Sequence, residues 1–355
     1  MANIKKIQQA MITAGLPALW LYDELDRLYA CEFLTSDGSV LIFPERAYFI
    51  TDSRFIEAAR EQVTGAEVIL CTNENREADI LRRLLSENGV TELGAQDGSL
   101  CYSEYLSMQE TLGVSFVPAQ NITKSLREVK ERFEIESIIS AQRIAEKALD
   151  HVLGMLKPGL TEKDVSAELE YRMTKNGAEG LAFETICVSG TNTSRPHGVP
   201  TFNRLKSGDF VTMDFGCKVN GYCSDMTRTV ALGSVTDEMS RIYHLVLEAQ
   251  NAGERVAYAG IIGSDMDRAA REVIERAGYG EYFGHGLGHS VGLYIHEGPN
   301  ASPRETRSLP AGTVVTCEPG IYLPGKFGVR IEDMLCITKD GAENLTKAPK
   351  NLIIL

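Results

Sequence analysis

A chain of 355 residues with 43% hydrophobic and 24% charged side chains is globular and suits two domains better than one. Its formal charge of −13 excludes the basic face that nucleic acid demands, and no uninterrupted apolar run of roughly 18 residues offers a membrane-spanning helix. The eight cysteines are scattered with no C-x-x-C pair, and residues 1–15 lack an apolar signal core and cleavage site; reduced, mostly buried thiols in a cytoplasmic protein are the expectation.

Residues 3–14 predict an amphipathic helix and 17–22 an apolar strand. Strand-like runs recur at 39–43, 47–51 and 67–70, with helical stretches at 54–62 and 76–88 between them. This alternation reads as a small α/β domain over residues 1–122, holding no catalytic spacing. The polar, charged segment 121–132 reads as the boundary, followed by a long helix to about residue 156. A second domain then runs from 130 to 355.

After Lys157-Pro158-Gly159, Thr161 is placed to cap a helix with Asp164 three residues on; it runs to Lys175 and stops at Gly177. Ser264 opens another in the same way, with Asp267 three residues on, ending near Gly278. Glycine-punctuated strands dominate from Ala182, interrupted by helices near 236–258 and 265–277. The second domain therefore reads as α+β, with helices outside an antiparallel sheet.

Three segments of this domain carry chemistry. In the first, Asp209 to Gly216 and Tyr222 to Thr227 are strand-like and flank Asn220-Gly221, a strong two-residue hairpin signal. Such a turn sets Asp214 opposite Thr227 and Asp225 one diagonal step away; a slightly longer one sets the aspartates opposite each other. Either way their Cβ atoms lie roughly 5–8 Å apart, and two such carboxylates repel unless a cation lies between them. Aspartates that merely cap or turn are the plainer alternative, but both lie within strands, where Asp is disfavoured.

The second segment places Glu318 and Glu332 symmetrically about Gly325 in Leu323-Pro324-Gly325-Lys326, which would set them opposite each other on another hairpin. The third is His285-Gly286-Leu287-Gly288-His289-Ser290-Val291-Gly292-Leu293-Tyr294-Ile295-His296-Glu297, with three of the six histidines among glycines that allow close backbone approach. His151 and His244, on helical stretches, read as ordinary core histidines. Four carboxylates and one imidazole suit two divalent ions bridged by water or hydroxide. Mn²⁺-like ions fit the oxygen ligands best, and Zn²⁺, Co²⁺ or Fe²⁺ are allowed by the imidazole. Such a pair suits metal-assisted hydrolysis, with an amide as one substrate class.

These motifs resemble the pita-bread metallopeptidases: proline-specific aminopeptidase, prolidase, methionine aminopeptidase and creatinase. His285 to Glu297 is similar to the signature of the proline-peptidase branch, and His197, in Arg195-Pro196-His197-Gly198, lies 17 residues before Asp214, like that branch's substrate-facing histidine. The resemblance implies a curved antiparallel catalytic sheet and a creatinase-like N-terminal domain. It implies Asp214, Asp225, His289, Glu318 and Glu332 as ligands of two metal ions, most readily Mn²⁺, with Asp225 and Glu332 bridging and Glu318 also accepting a proton. It implies that His197 and His296 hydrogen-bond the substrate and the tetrahedral intermediate, and that His285, Tyr322 and Arg330 line or support the pocket. The expected substrates are peptides with proline second, and the expected assembly is a homodimer. In the N-terminal domain the family's Asn-Arg-Tyr-like and Phe-Thr-Gly-Ser-like segments are replaced by Leu25-Asp26-Arg27-Leu28-Tyr29 and Phe33-Leu34-Thr35-Ser36-Asp37-Gly38.

Within that family, creatinase lacks the ligand set. Methionine aminopeptidase usually lacks the N-terminal domain and has a wider gap between its glutamates than the 14 residues from Glu318 to Glu332. Xaa-Pro aminopeptidase is thus the expected activity, prolidase its competitor, and a non-catalytic peptide-binding module of the same fold a third reading. A calcium-stabilised domain would leave His289 without a task. Cys223, two residues before Asp225, should share its face as a packed thiol, a soft ligand or an oxidation-sensitive group, whereas Cys317 should face away.

Overall fold

The computed structural model describes residues 3–355, and the chain divides between Arg127 and Glu128 into two compact units. The first unit is built on a six-stranded mixed sheet. Its strands lie in the order Glu67–Leu70, Ala47–Thr51, Ser39–Ile42, Leu19–Leu21, Glu92–Ala95 and Ser115–Pro118. The middle three pair antiparallel and the outer ones parallel. Ala47–Thr51 is buried at every position, as expected for a strand covered on both faces. Trp20, Leu41, Ile50, Leu81 and Leu84 share one core between the sheet and helix Glu77–Glu87.

The sequence misses helices Glu24–Cys31 and Tyr102–Leu112 and the last two strands of this sheet. The division between the two units falls within the boundary segment 121–132, but the helix Gln120–Arg127 that occupies its first part is not foreseen. The reason is physical. Gln120, Thr123 and Arg127 all reach Asp26, and the buried positions of this short helix, Thr123 and Arg127, are polar, leaving Ile122 and Leu126 as its only apolar pair.

In the second unit every pairing between named strands is antiparallel. Helices Arg132–Leu153 and Glu162–Lys175 pack on the strands around Phe210–Phe215 through one core, including Ala145, Leu169 and Met213. Helices Asp237–Arg255 and Gly263–Arg276 pack on Val314–Cys317 and Asp333–Thr338 through another, including Val246, Ala270 and Leu335. Thr161 caps its helix as expected, in a box with Asp164. Ser264 does not. Helix Gly263–Arg276 begins one residue earlier, and Asp267 instead accepts the Leu287 amide at 2.8 Å and pairs with Arg271 at 2.7 Å. Among the described residues, no helix is long and apolar enough to cross a membrane.

Candidate metal centre and active site

Two hairpins supply four carboxylates; Asp214 stands within a paired strand, whereas Asp225, Glu318 and Glu332 sit where the ladders lapse. In the first, Asn220 and Gly221 turn the chain with φ of 52° and 77°, and Lys218 pairs with Cys223. The same register, continued beyond a break, pairs Thr227 with Asp214 and brings Asp225 opposite Gly216. The glycine is required there, because a Cβ at 216 would lie 1.9 Å from the Ser224 carbonyl oxygen. In the second, Gly320 pairs with Arg330 and Cys317 with Asp333, so Glu318 and Glu332 face each other across the gap between the two ladders.

The third element, strand Gly288–Ser290, lies between Glu297–Ala301 and Val314–Cys317. Its register with Glu297–Ala301 shifts between Gly288 and Ser290, at His289, the kind of irregularity that re-aims a side chain. A Cβ at Gly288 would lie 2.0 Å from the Thr316 carbonyl oxygen, so only glycine lets His289 come this close. The His289 amide is held by Thr316 Oγ1 at 3.0 Å, and that hydroxyl donates to Glu318 at 3.2 Å.

These elements converge. Asp225, His289 and Glu332 present ligand atoms all within 4.8 Å of one another, and His289 Nε2 is 3.5 Å from both Asp225 and Glu318. His289 Nδ1 lies 3.2 Å from the Ser290 carbonyl, which can only accept, so Nδ1 carries the proton and Nε2 turns its lone pair toward the carboxylates. Burial, then the neighbouring His296, lowers His289 to about 4 and keeps the ring neutral. Burial also pushes Asp225 and Glu332 well above the usual carboxylate range, with each group's carboxylate neighbours adding to the effect. Glu318 is raised to about 8, mainly by burial. Asp214 Oδ2 is paired with Arg330 at 2.7 Å, while its Oδ1 is buried without a hydrogen-bond partner. A lone pair, an unpartnered oxygen and three disfavoured carboxylates gathered at one point fit divalent cations.

Around this cluster, Arg330 is buried and donates to Thr227 Oγ1 (3.0 Å), Tyr322 Oη (3.0 Å) and the Pro196 carbonyl (3.2 Å). Tyr322, raised to about 12 by burial, lies 2.9 Å from His285 Nε2. His285 Nδ1 faces the Gly286 carbonyl at 2.8 Å, and burial lowers this histidine to about 4. The ring of His296 meets that of His289 edge-on, with centroids 4.3 Å apart. Burial and then the charge of His197 depress His296; His197 itself is exposed on the loop after the turn Gly190–Ser194.

Three supporting residues escape sequence reasoning. Thr227 Oγ1 donates to Glu332 at 2.7 Å, Thr316 serves His289 and Glu318, and Arg271 donates to the carbonyls of Phe283 and His285. Thr227 and Thr316 stand two residues from Asp225 and Glu318, the spacing that keeps side chains on one face of a strand, and that spacing could have flagged them. His151 and His244 are not core residues. Both are exposed on helices, His151 pairing with Glu168 at 3.0 Å and His244 returning to the Ser240 carbonyl at 2.7 Å, because each falls on the outer side of its helix. Cys223 is buried, directs Sγ to the Leu293 carbonyl, and is pushed up to about 12 by burial, as a packed thiol would be. Cys317 faces away, toward the Gln250 carbonyl.

Residues 136–339 match metallopeptidase family M24, and residues 3–129 match the creatinase/prolidase N-terminal domain. The structure is similar to a Xaa-Pro dipeptidase from Bacillus anthracis over 99% of both chains, at 41% identity and a TM-score of 0.96. It is similar to an X-Pro aminopeptidase from Thermotoga maritima over 100% of both chains, at 35% identity and a TM-score of 0.93. A Xaa-Pro dipeptidase from Pyrococcus furiosus is 43% identical over 264 residues, 74% of this chain and 76% of that one.

Proposed function

The chain belongs to metallopeptidase family M24, and from that premise we propose that it hydrolyses the bond before proline in peptides with proline second, acting as an Xaa-Pro aminopeptidase. The observation that carries this reading is the convergence of Asp225, His289 and Glu332, joined by Glu318, on one point beside His296.

Asp214, Asp225, His289, Glu318 and Glu332 would hold two divalent cations, most readily Mn²⁺ given four carboxylate ligands, with Asp225 and Glu332 shared between them. When bound, such ions polarise the scissile carbonyl and acidify water. The protein's own groups do the rest. Glu318, steadied by Thr316, accepts the proton of the attacking water and passes it toward the departing proline nitrogen. His296, neutral because burial depresses it, and His197 donate hydrogen bonds to the substrate and to the charge that develops on its oxygen. Proline presents a tertiary amide with no N–H and a fixed ring, so its site needs an apolar wall rather than an acceptor; Tyr322 and His285 supply that wall. Eight free thiols accord with a reducing cytoplasm, and a homodimer completes the proposal.

Preference for longer peptides has its own support. An enzyme limited to dipeptides needs a cation for the free carboxylate of proline, and Arg330 is already engaged by Asp214, Thr227, Tyr322 and Pro196. The names of two similar proteins favour the second reading, a Xaa-Pro dipeptidase. The test is hydrolysis of Ala-Pro and Ala-Pro-Ala by metal-stripped protein with and without Mn²⁺ or Co²⁺. Cleavage of the tripeptide establishes the aminopeptidase, cleavage of Ala-Pro alone the dipeptidase, and cleavage of neither with any metal overturns both. His296→Ala should cut turnover about a hundredfold or more while bound metal, measured by elemental analysis, stays constant.

A further inference from the structure

Behind the ligand strands lies a second charged cluster that this chemistry does not use. Arg228 and Asp333 pair at 2.7 Å with side chains 3% and 1% exposed. All five N–H donors of Arg228 are placed. Nε donates to the Pro349 carbonyl at 2.9 Å, and Nη1 to the carbonyls of Thr227 at 3.0 Å and Glu332 at 2.5 Å. Nη2 donates to Asp333 and to the Ala348 carbonyl, both at 2.7 Å. The other oxygen of Asp333 accepts from Gln250 at 3.0 Å, Asn344 at 2.8 Å and Lys350 at 3.0 Å.

Two features make this more than a satisfied buried pair. Arg228 stands three residues after Asp225, and Asp333 directly follows Glu332, so the clamp grips the strands that carry the two carboxylates assigned as shared ligands. It also grips them by the main chain: Nη1 bridges the carbonyls of Thr227 and Glu332, beside the Glu332 amide that bonds Thr227 O at 3.2 Å. The acceptors at the far side, Ala348 and Pro349, belong to a segment without regular structure that follows the last strand, Gly341–Asn344.

We propose that residues 345–350 are a working part of the metal centre: through Arg228 and Asp333 they set the separation of Asp225 and Glu332, making Arg228 and Lys350 positioning residues for cation binding. This rests on the ligand assignment above. Carboxylates that repel each other drift apart unless their main chains are held, and a planar guanidinium with five donors in fixed directions can hold five acceptors at once. A lysine ammonium, with three donors on one atom, cannot span them.

The test is calorimetric titration of Mn²⁺ into metal-stripped full-length protein, with melting temperatures measured alongside. The variants are Lys350→Met, Arg228→Lys, Asp225→Asn and, as a stability control in the core of the first unit, Leu84→Ala. Loss of groups that orient metal ligands typically weakens affinity about tenfold to a hundredfold. Lys350→Met should show at least the lower end of that range, and Arg228→Lys a larger loss. Leu84→Ala should bind Mn²⁺ as the parent does despite a lower melting temperature. Wild-type affinity and stoichiometry in Lys350→Met overturn the proposal, and that variant carries the test where Arg228→Lys does not fold. If Asp225→Asn alone loses the metal, only the clamp fails. If Asp225→Asn binds like the parent, the ligand assignment fails and the clamp with it.

Discussion

Glu332 and Asp333 are neighbours in the chain, each 1% exposed, and their carboxyl groups shift in opposite directions. Glu332 is pushed well above the usual range by burial and by Asp225, Glu318 and Asp214. Burial would raise Asp333 too, but Arg228 and Lys350 outweigh it and hold that group below its ordinary value. Glu332 lies just before strand Asp333–Thr338, and the two neighbouring side chains face different surroundings. The first gathers carboxylates that repel one another; the second supplies its own cations. Burial of a charge is therefore no mark of a functional site by itself. What marks one is burial among like charges.

The largest effect that sharpens this contrast is on turnover. Glu332→Gln removes the whole negative charge of a proposed shared ligand and should cut Ala-Pro-Ala hydrolysis by about a thousandfold or more, the several kcal/mol that metal ions contribute to such a transition state. Asp333→Asn leaves the proposed ligand set intact, acts on the metal site only through the clamp, and should cost about 3–5 kcal/mol of stability because buried Arg228 loses its charged partner. In metal-free protein the same conservative change at Glu332 should raise the melting temperature, since a repelled carboxylate is gone while Gln can still accept from Thr227. Scanning calorimetry of both variants measures the signs, and shifts of the same sign would break the comparison.

The pH dependence of metal-free protein follows from the same shifts. Glu318 rises from 4.5 to about 8 on folding, and Asp225 and Glu332 also rise, so the fold binds more protons than the unfolded chain and loses stability as pH climbs through that window. His285 and His289, lowered from 6.5 to about 4, act the other way, but only between those values. The melting temperature should therefore fall between pH 6.5 and 8, where the carboxylates act alone, and saturating Mn²⁺ should abolish the fall. The Asp333 contribution is present above its ordinary 3.8 and is lost only as pH drops toward its lower folded value. The smallest effect concerns Cys223, kept protonated by burial: thiol reagents at neutral pH should label exposed Cys101 and spare Cys223, as peptide mass mapping would show.

Much of the arrangement of the four carboxylates was legible in the chain. Asn220-Gly221 specifies a two-residue turn, and a period of two carries that register from the turn to Asp214 and Thr227. The symmetry of Glu318 and Glu332 about Gly325 works in the same way. The Ser264 cap was misjudged because Asp267 is bound to Leu287 and Arg271, partners set by packing rather than by spacing. Helix Gln120–Arg127 within the boundary segment was not foreseen because its buried positions, Thr123 and Arg127, are polar.

The sequence by itself determined which carboxylates share a hairpin, because strand register is local: a turn of known length counts outward residue by residue. Only the tertiary structure decided that the two hairpins meet, that His289 turns its Nε2 lone pair toward Asp225 and Glu318, and that Glu332 faces its rivals while Asp333 faces Arg228 and Lys350. Those outcomes depend on the separation of segments about a hundred residues apart, such as Thr227 and Glu332. That separation is set by the packing of helices on sheets and by buried guanidinium contacts, neither of which leaves a period in the chain.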